Sequence, residues 1–169
     1  MDAANTPRTT RDALTIELLG DVGRLHDQIK ALPEGLKESL APALGAFGTS
    51  PNFRLVLFTM DETVYSRELA PLAGFYPSVF VGVPWWFLDA PDTMRRFREA
   101  VTETAGFTRT SGFIDDTRAF LSIPARHDVS RRVDAGYLAR LVAEHRLTVD
   151  EAHAAAHTLV ADNPRKAFL

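Results

Sequence analysis

The sequence contains no cysteine in its 169 residues, and this absence excludes several classes of site. Without thiols there is no disulfide framework, no thiolate nucleophile and no Cys-ligated zinc or iron–sulfur centre. No apolar run approaches the roughly 20 residues that a membrane-spanning helix needs. Residues 1–12 are polar and lack the apolar core of a signal peptide. We therefore expect a cytoplasmic protein that does not contact a membrane.

The sequence also lacks a large excess of charge of either sign. It has 19 Lys and Arg residues and 22 Asp and Glu residues, for a formal net charge of -3. This balance gives no electrostatic reason to bind nucleic acid. A content of 46% hydrophobic and 24% charged residues is typical of a globular chain with a packed core. We expect a polar tail over residues 1–12 followed by one domain over residues 13–169. Small molecules or other proteins are the expected partners.

Helical spacing of apolar residues predicts helices at both ends of the chain. A first helix is expected over residues 10–31, and a second over residues 36–47 that Pro42 should kink or break. Near the C-terminus, Thr148 and Glu151 form the pattern of a capping box, and Pro164 should end the helix that follows. The expected core faces of the last two helices are Val129, Val133, Tyr137, Leu138 and Leu141, then Ala152, Ala155, Ala156 and Leu159.

Between these helices, short apolar runs predict parallel strands. The runs over residues 53–58 and 79–83 are typical of strands buried on both faces. A weaker third strand is predicted over residues 112–114, with Thr110 as an alternative start. A short helix over residues 65–72 and a longer one over residues 91–105 separate them. The spacing is that of βα repeats, which predicts an α/β fold.

Each predicted strand is followed by a cluster of chemically capable side chains. In parallel α/β folds, ligands bind at the carboxyl ends of the strands. The alternative is that loops are polar in general and that acidic residues cap the next helix. The three clusters are Thr59, Asp61 and Glu62; Pro84, Trp85 and Trp86; and Asp115, Asp116 and Arg118.

Two pairs in these clusters are candidate site residues. Trp85 and Trp86 point to opposite sides if the chain is extended, so one can pack in the core while the other forms a wall over a ligand. Both could equally be core aromatics. Asp116 could ligate a divalent metal or exchange a proton, and Arg118 could hold a substrate carboxylate. An ordinary surface salt bridge is the alternative for this second pair.

Histidines give weaker signals. His153 and His157 are four residues apart, but Ala154 stands where an H-E-x-x-H zinc motif needs glutamate, so we do not expect zinc there. His127 is a secondary acid–base candidate. The sequence contains no H-x-H metal pair, no Gly-rich phosphate loop and no G-x-S-x-G nucleophile motif.

Several segments together resemble the C-terminal part of the uronate isomerases, also called glucuronate isomerases. These enzymes belong to the amidohydrolase superfamily and have a (β/α)8 barrel of the TIM type. The resemblance covers about residues 34–169 and includes the tryptophan pair and the Asp-x-Arg motif in the expected order. The segments are LVLFTMDETVYSRELAPLAGFYP, VPWWFLDAPDTMRRF, GFIDDTRAFLSIPARHDVSRRV and LARLVAEHRLTVDEA.

The resemblance implies an aldose–ketose isomerase that converts D-glucuronate to D-fructuronate and D-galacturonate to D-tagaturonate through a cis-enediol. The three strands would be barrel strands six to eight, followed by C-terminal helices. Asp116 would bind the metal, commonly zinc, and is the candidate for proton transfer. Arg118 would contact the substrate, and Trp85 and Trp86 would line the sugar pocket.

The family's H-x-H metal pair lies on its first barrel strand and is missing here. A barrel of this kind needs eight strands and about 250 residues, so three strands would leave sheet edges exposed. We therefore expect the chain alone to be inactive and to pair with a complementing N-terminal chain or form a homo-oligomer. The alternatives are a non-catalytic remnant or subunit, and a free-standing sugar-acid binding protein, which nothing in the sequence favours.

Overall fold

A computed structural model of the chain describes residues 36–115 and 119–169. The chain divides into two compact units, Met1–Gly45 and Ala46–Leu169. The helix predicted over residues 10–31 and the boundary predicted after residue 12 lie outside the described residues. None of the described helices is both long and apolar enough to cross a membrane.

The described residues form an α/β structure that is mostly helical. Single π-helical turns at Tyr65–Leu69 and Thr158–Asp162 lead into the helices that follow them, and three 3-10 turns lie at Trp86–Asp89, Phe107–Arg109 and Phe120–Ser122. The main elements are α1 (Leu36–Phe47), β1 (Leu55–Leu57), α2 (Ala70–Phe75), β2 (Val79–Val81), α3 (Pro91–Ala105), α4 (Ile123–Ala143), α5 (Val149–His157) and α6 (Asn163–Phe168).

The two strands pair in parallel, with Leu55 opposite Val79 and Leu57 opposite Val81. All three residues of β2 are buried, which confirms the prediction of a strand covered on both faces. In β1 only Leu57 is buried, so that prediction is wrong for the first strand. The difference is that β2 has a neighbour on each side, β1 and the bridge at Thr110, whereas β1 has one neighbour among the described residues.

The prediction of a third strand over residues 112–114 is wrong, because these residues are not assigned to a strand. Thr110 forms an isolated parallel bridge with Val81, and the Ser111 amide donates to the Val81 carbonyl at 3.0 Å. Gly112 then adopts φ +77°, a left-handed conformation that ends the extended run. The segment is thus placed beside β2, in the order that the sequence predicts, without becoming a full strand.

Helix α3 has the bounds that the sequence predicts, because its end signals are local. Pro91 occupies its first turn and Gly106 caps its end, with the Gly106 amide donating to the Thr102 carbonyl at 2.8 Å. Its buried face includes Met94 and Phe97, as expected. This helix packs against both α2 and α4, so it forms the centre of the second unit.

A buried ion pair joins α3 to α4. Arg98 Nε donates to Asp134 Oδ1 at 2.6 Å, and Arg98 Nη2 donates to Asp134 Oδ2 at 2.9 Å. A third donor, Nη1, reaches the Thr110 hydroxyl at 3.2 Å, and that hydroxyl also accepts from Asn163 Nδ2 at 3.1 Å. One guanidinium therefore connects both helices to the segment beside β2.

This ion pair corrects the predicted core face of α4. Tyr137 and its two leucine neighbours are buried as expected, but Val129 is 38% exposed. The N-terminal half of the helix instead buries Ser130 and Asp134. The physical reason is that α4 must direct Asp134 inward, because Arg98 would otherwise be a buried, unpaired charge.

Proline breaks neither of two helical segments where the sequence suggests it. Pro42 lies inside α1, which continues to Phe47, so the predicted break does not occur there. Pro164 does not end the C-terminal helix, because the π-helical turn before it changes the hydrogen-bond pattern and Pro164 falls in the first turn of α6. The capping box before α5 is confirmed, with the Glu151 amide donating to Thr148 Oγ1 at 3.2 Å and the Thr148 amide to Glu151 Oε2 at 2.8 Å.

We predict that Gly112→Ala destabilises the chain. A Cβ at this position would lie 2.4 Å from Pro164 Cγ, and the left-handed backbone itself costs a non-glycine residue about 1–2 kcal/mol. The melting temperature should fall by roughly 2–8 °C, because each kcal/mol shifts it by about 2–4 °C in a chain of this size. The matched control is Gly136→Ala, where the Cβ meets open space on an exposed part of α4 and should stabilise by about 0.5–1 kcal/mol. Thermal melts in which Gly112→Ala is at least as stable as the parent would contradict the expectation.

Candidate functional site

An aromatic surface lies at the carboxyl ends of the two strands. Phe58 follows β1 and Trp85 follows β2, and their ring centroids are 6.3 Å apart at an interplanar angle of 72°. A Cβ on Gly82 would lie 2.3 Å from Phe58 Cδ1, so the Phe58 ring covers this glycine directly. Trp85 is half-buried and Phe58 is 40% exposed. Such a surface is suited to the apolar face of a sugar ring.

The acidic residues after β1 are committed to local structure. Asp61 Oδ1 accepts from the Thr63 hydroxyl at 2.7 Å and from the Thr63 amide at 2.9 Å, and these bonds hold the pKa of Asp61 below its usual range. Glu62 accepts two bonds from Arg96 of α3, at 2.8 and 2.9 Å, which lower its pKa as well. Both carboxylates are therefore ionised at neutral pH and cannot act as general acids there.

Tyr65 lies just beyond these acids and is buried. Its ring packs edge-on against Phe97, with centroids 5.0 Å apart. Burial raises the pKa of the Tyr65 hydroxyl, and the negative charges of Glu62 and Asp61 raise it further. Tyr65 therefore remains neutral at physiological pH and serves as a packing residue.

Asp115 is the described member of the third cluster, since Asp116, Thr117 and Arg118 lie outside the described residues. Its side chain is 3% exposed, and Oδ1 accepts from Nε of Arg126 in α4. Oδ2 is buried and has no hydrogen-bond partner among the described residues. The residue that precedes the Asp-x-Arg motif is thus an anchor inside the protein.

Arg126 makes a second ion pair, which sequence reasoning missed. Its Nη2 donates to Oδ2 of Asp89, the last residue of the 3-10 turn that begins at Trp86. The Asp89 side chain is 13% exposed. One guanidinium therefore joins the segment after Trp85 to the residue before Asp116. The sequence carries one weak signal for this, because an arginine in the first turn of a helix opposes the helix dipole and so serves something other than the helix.

Of the four predicted site residues, the structure places Trp85. For Trp86 it describes the backbone at the start of the 3-10 turn, and its side chain lies outside the described part, as do Asp116 and Arg118. Arg126 brings together Asp89, which lies three residues after Trp86, and Asp115, which precedes Asp116 in the sequence.

The candidate histidines are not gathered into a site among the described residues. His127 packs edge-on against Phe113, with ring centroids 4.9 Å apart. His153 and His157 are exposed, and His157 Nδ1 lies 3.3 Å from Asp162 Oδ2. Within residues 36–115 and 119–169, no group of three or more His, Asp or Glu side chains is placed to hold a metal ion.

Comparison with known protein families matches residues 29–166 to the glucuronate isomerase family. The uronate isomerase of Cutibacterium acnes is 60% identical over 131 residues, which are 78% of this chain and 28% of that protein. The uronate isomerase of Phenylobacterium zucineum is 60% identical over 130 residues, 77% of this chain and 27% of that protein. The chain thus spans little more than a quarter of the length of these relatives.

Solved structures give the same result. The glucuronate isomerase from Caulobacter crescentus superposes with a TM-score of 0.77 at 57% identity, over 80% of this chain and 28% of that one. The uronate isomerase from Thermotoga maritima superposes with a TM-score of 0.74 at 26% identity, over 80% of this chain and 29% of that one. The arrangement of helices and strands is therefore kept even where most residues differ.

We predict that Gly82→Ala disturbs the aromatic surface. The new methyl group would occupy the space of the Phe58 ring, which is exposed enough to swing away and lose its contact with Trp85. Because the chain has two tryptophans, Trp85 and Trp86, intrinsic fluorescence reports on this surface. The emission should move to longer wavelength in Gly82→Ala and stay unchanged in Gly136→Ala. Identical spectra for parent and Gly82→Ala would refute the packing described.

Proposed function

Since the chain belongs to the glucuronate isomerase family, we propose that it forms the C-terminal part of a uronate isomerase. The reaction is the interconversion of aldohexuronates and ketohexuronates, D-glucuronate with D-fructuronate and D-galacturonate with D-tagaturonate. The single observation that carries this proposal is the 57% identity, at a TM-score of 0.77, with a glucuronate isomerase of known structure.

In this proposal the described sheet is one side of a (β/α)8 barrel. β1, β2 and the segment at Thr110 are barrel strands six, seven and eight. Their parallel order supports this assignment, because β1 pairs with β2 and Val81 of β2 forms the bridge to Thr110. Neighbours in the sheet are thus successive in the chain, as in a barrel of βα units.

The residue roles follow from what the reaction needs. A carboxylate that removes the proton from C2 of the open-chain aldose leaves an enediolate. A second proton passes from the C2 hydroxyl to the C1 oxygen, and return of the first proton to C1 then gives the ketose. We assign this transfer to Asp116, since its neighbour Asp115 is held by Arg126. Arg118 holds the enediolate oxygen or the sugar carboxylate, and Trp85 with Trp86 lines the sugar pocket.

A divalent metal, commonly zinc in the family that the sequence resembles, would polarise the sugar oxygens and stabilise the enediolate. We propose Asp116 as one of its ligands. The described residues do not fit a complete metal site, because none of their His, Asp and Glu side chains group in threes. The remaining ligands must therefore come from outside the described residues.

The partner that we propose is the N-terminal part of the same barrel, or a second copy in a homo-oligomer. The Leu55 amide donates to the Ser78 carbonyl at 2.9 Å, and the Gly82 amide donates to the Leu57 carbonyl at 2.7 Å. Alternate residues of β1 therefore form hydrogen bonds with the β2 segment. The peptide groups of Val56 then face the other edge, which no described strand covers. A barrel strand from the partner would pair there. A non-catalytic subunit that needs such a partner is the second candidate, favoured by the edge of β1 that no described strand covers.

We predict that the purified 169-residue chain does not turn over D-glucuronate, whereas co-expression with the N-terminal portion of the Cutibacterium acnes relative gives activity. That relative is suited to the test because it is 60% identical over the matched region. Its N-terminal portion alone is the control for background turnover. A rate on the order of 1 per second from the homogeneous chain alone would contradict the need for a partner.

In an active assembly, we predict that Asp116→Asn and Asp115→Asn fail in different ways. Asp116→Asn removes the charge that proton transfer needs, so kcat falls more than KM changes while the melting temperature stays near that of the parent. Asp115→Asn weakens a buried ion pair with Arg126, so its main effect is a lower melting temperature. Intact turnover and metal content in Asp116→Asn would place the acid elsewhere.

A further inference from the structure

Arg126 is placed differently from the other arginines of α4. The side chains of Arg131, Arg132 and Arg140 are 54%, 78% and 42% exposed, and each lies within 4.0 Å of an acid on an exposed part of the surface. Arg126 is 34% exposed and instead contacts two acids that are nearly buried, Asp89 and Asp115. A guanidinium can bind two carboxylates at once because its donors spread in a rigid plane.

The two acids belong to different parts of the chain. Asp89 is 37 residues before Arg126 and ends the turn that starts with Trp86. Asp115 is 11 residues before Arg126 and directly precedes the Asp-x-Arg motif in the sequence. Arg126 therefore connects the segment that carries the tryptophan pair to the residue before that motif.

We infer that Arg126 is a positioning residue of the uronate site, which fixes the tryptophan segment relative to Asp115, the residue before the Asp-x-Arg motif, through its ion pairs with Asp89 and Asp115. This inference rests on the proposed function, because it assigns the site its geometry. Arg126 itself does not touch the substrate. Its effect on the reaction is indirect, since groups that are about 1 Å out of place lose much of their catalytic effect.

Two roles of Arg126 can be distinguished by experiment: it neutralises the two buried acids, and it holds them in fixed directions. If Arg126 only neutralised the buried acids, a lysine would serve almost as well, because it keeps the positive charge. A single ammonium group lacks the planar fork and does not hold both carboxylates in fixed directions. Compared with Arg126→Gln, Arg126→Lys should therefore recover more of the melting temperature than of kcat.

The first experiment uses tryptophan fluorescence of the isolated chain, in which Trp85 and Trp86 are the only fluorescent indoles. Arg126→Gln should shift the emission to longer wavelength and increase quenching by acrylamide. The matched control is Arg132→Gln, which removes an exposed ion pair with Asp128 on the same helix and should leave the spectrum unchanged. Asp89→Asn, which alters one partner, serves as the second variant if Arg126→Gln does not fold.

The second experiment uses the active assembly with the Cutibacterium acnes N-terminal portion. Arg126→Gln should lower kcat by about 10- to 100-fold, the range found when groups that orient a site are removed. Arg126→Lys should remain impaired in kcat although its melting temperature recovers. Arg132→Gln should match the parent in both measurements.

The outcomes separate this inference from the proposed function. An unchanged emission spectrum in Arg126→Gln, a kcat equal to that of the parent, or full recovery of kcat in Arg126→Lys would overturn the positioning role. An inactive assembly made with the unmodified chain would instead count against the proposed function. In that case the fluorescence comparison alone decides whether Arg126 holds the tryptophan segment.

Discussion

The arrangement of the second unit depends on the buried ion pair between Arg98 and Asp134. Their side chains are 4% and 11% exposed, and removing two charges from water is costly unless their hydrogen bonds are satisfied. The Thr110 hydroxyl completes the set by accepting from both Arg98 and Asn163. Because the geometry of such a network is narrow, it fixes α3, α4, the start of α6 and the segment beside β2 in one arrangement.

The same network determines the geometry of the candidate site. Arg126 and Asp134 lie on one rigid helix about 12 Å apart along its axis, since each residue of an α-helix advances the axis by about 1.5 Å. Once Asp134 is held by Arg98, the position of Arg126 is set as well, and with it Asp89 and Asp115. A stabilising interaction in the core is thus transmitted to the strand ends through a helix and a second ion pair.

Local signals allowed part of this fold to be predicted from the sequence. The bounds of α3 follow from Pro91 and Gly106, and the start of α5 follows from the capping box, because each signal acts within one helical turn. The third strand and the end of the C-terminal helix were predicted wrongly for the opposite reason. Gly112 adopts its left-handed conformation where the ring of Pro164 packs against it, and this contact joins residues far apart in the chain.

In the candidate site, the position of Trp85 beyond the end of β2 could be predicted, because it follows the apolar run of that strand in the sequence. The ion pairs of Arg126 could not be predicted, because their partners lie up to 37 residues away. The described acids near the strand ends are mostly paired within the chain, as Asp61, Glu62 and Asp89 are. Such pairing satisfies these carboxylates within this part of the chain. The outer edge of β1 also carries backbone groups that no described strand pairs, and one further parallel strand would satisfy them. Binding at this edge therefore requires hydrogen bonds along a strand.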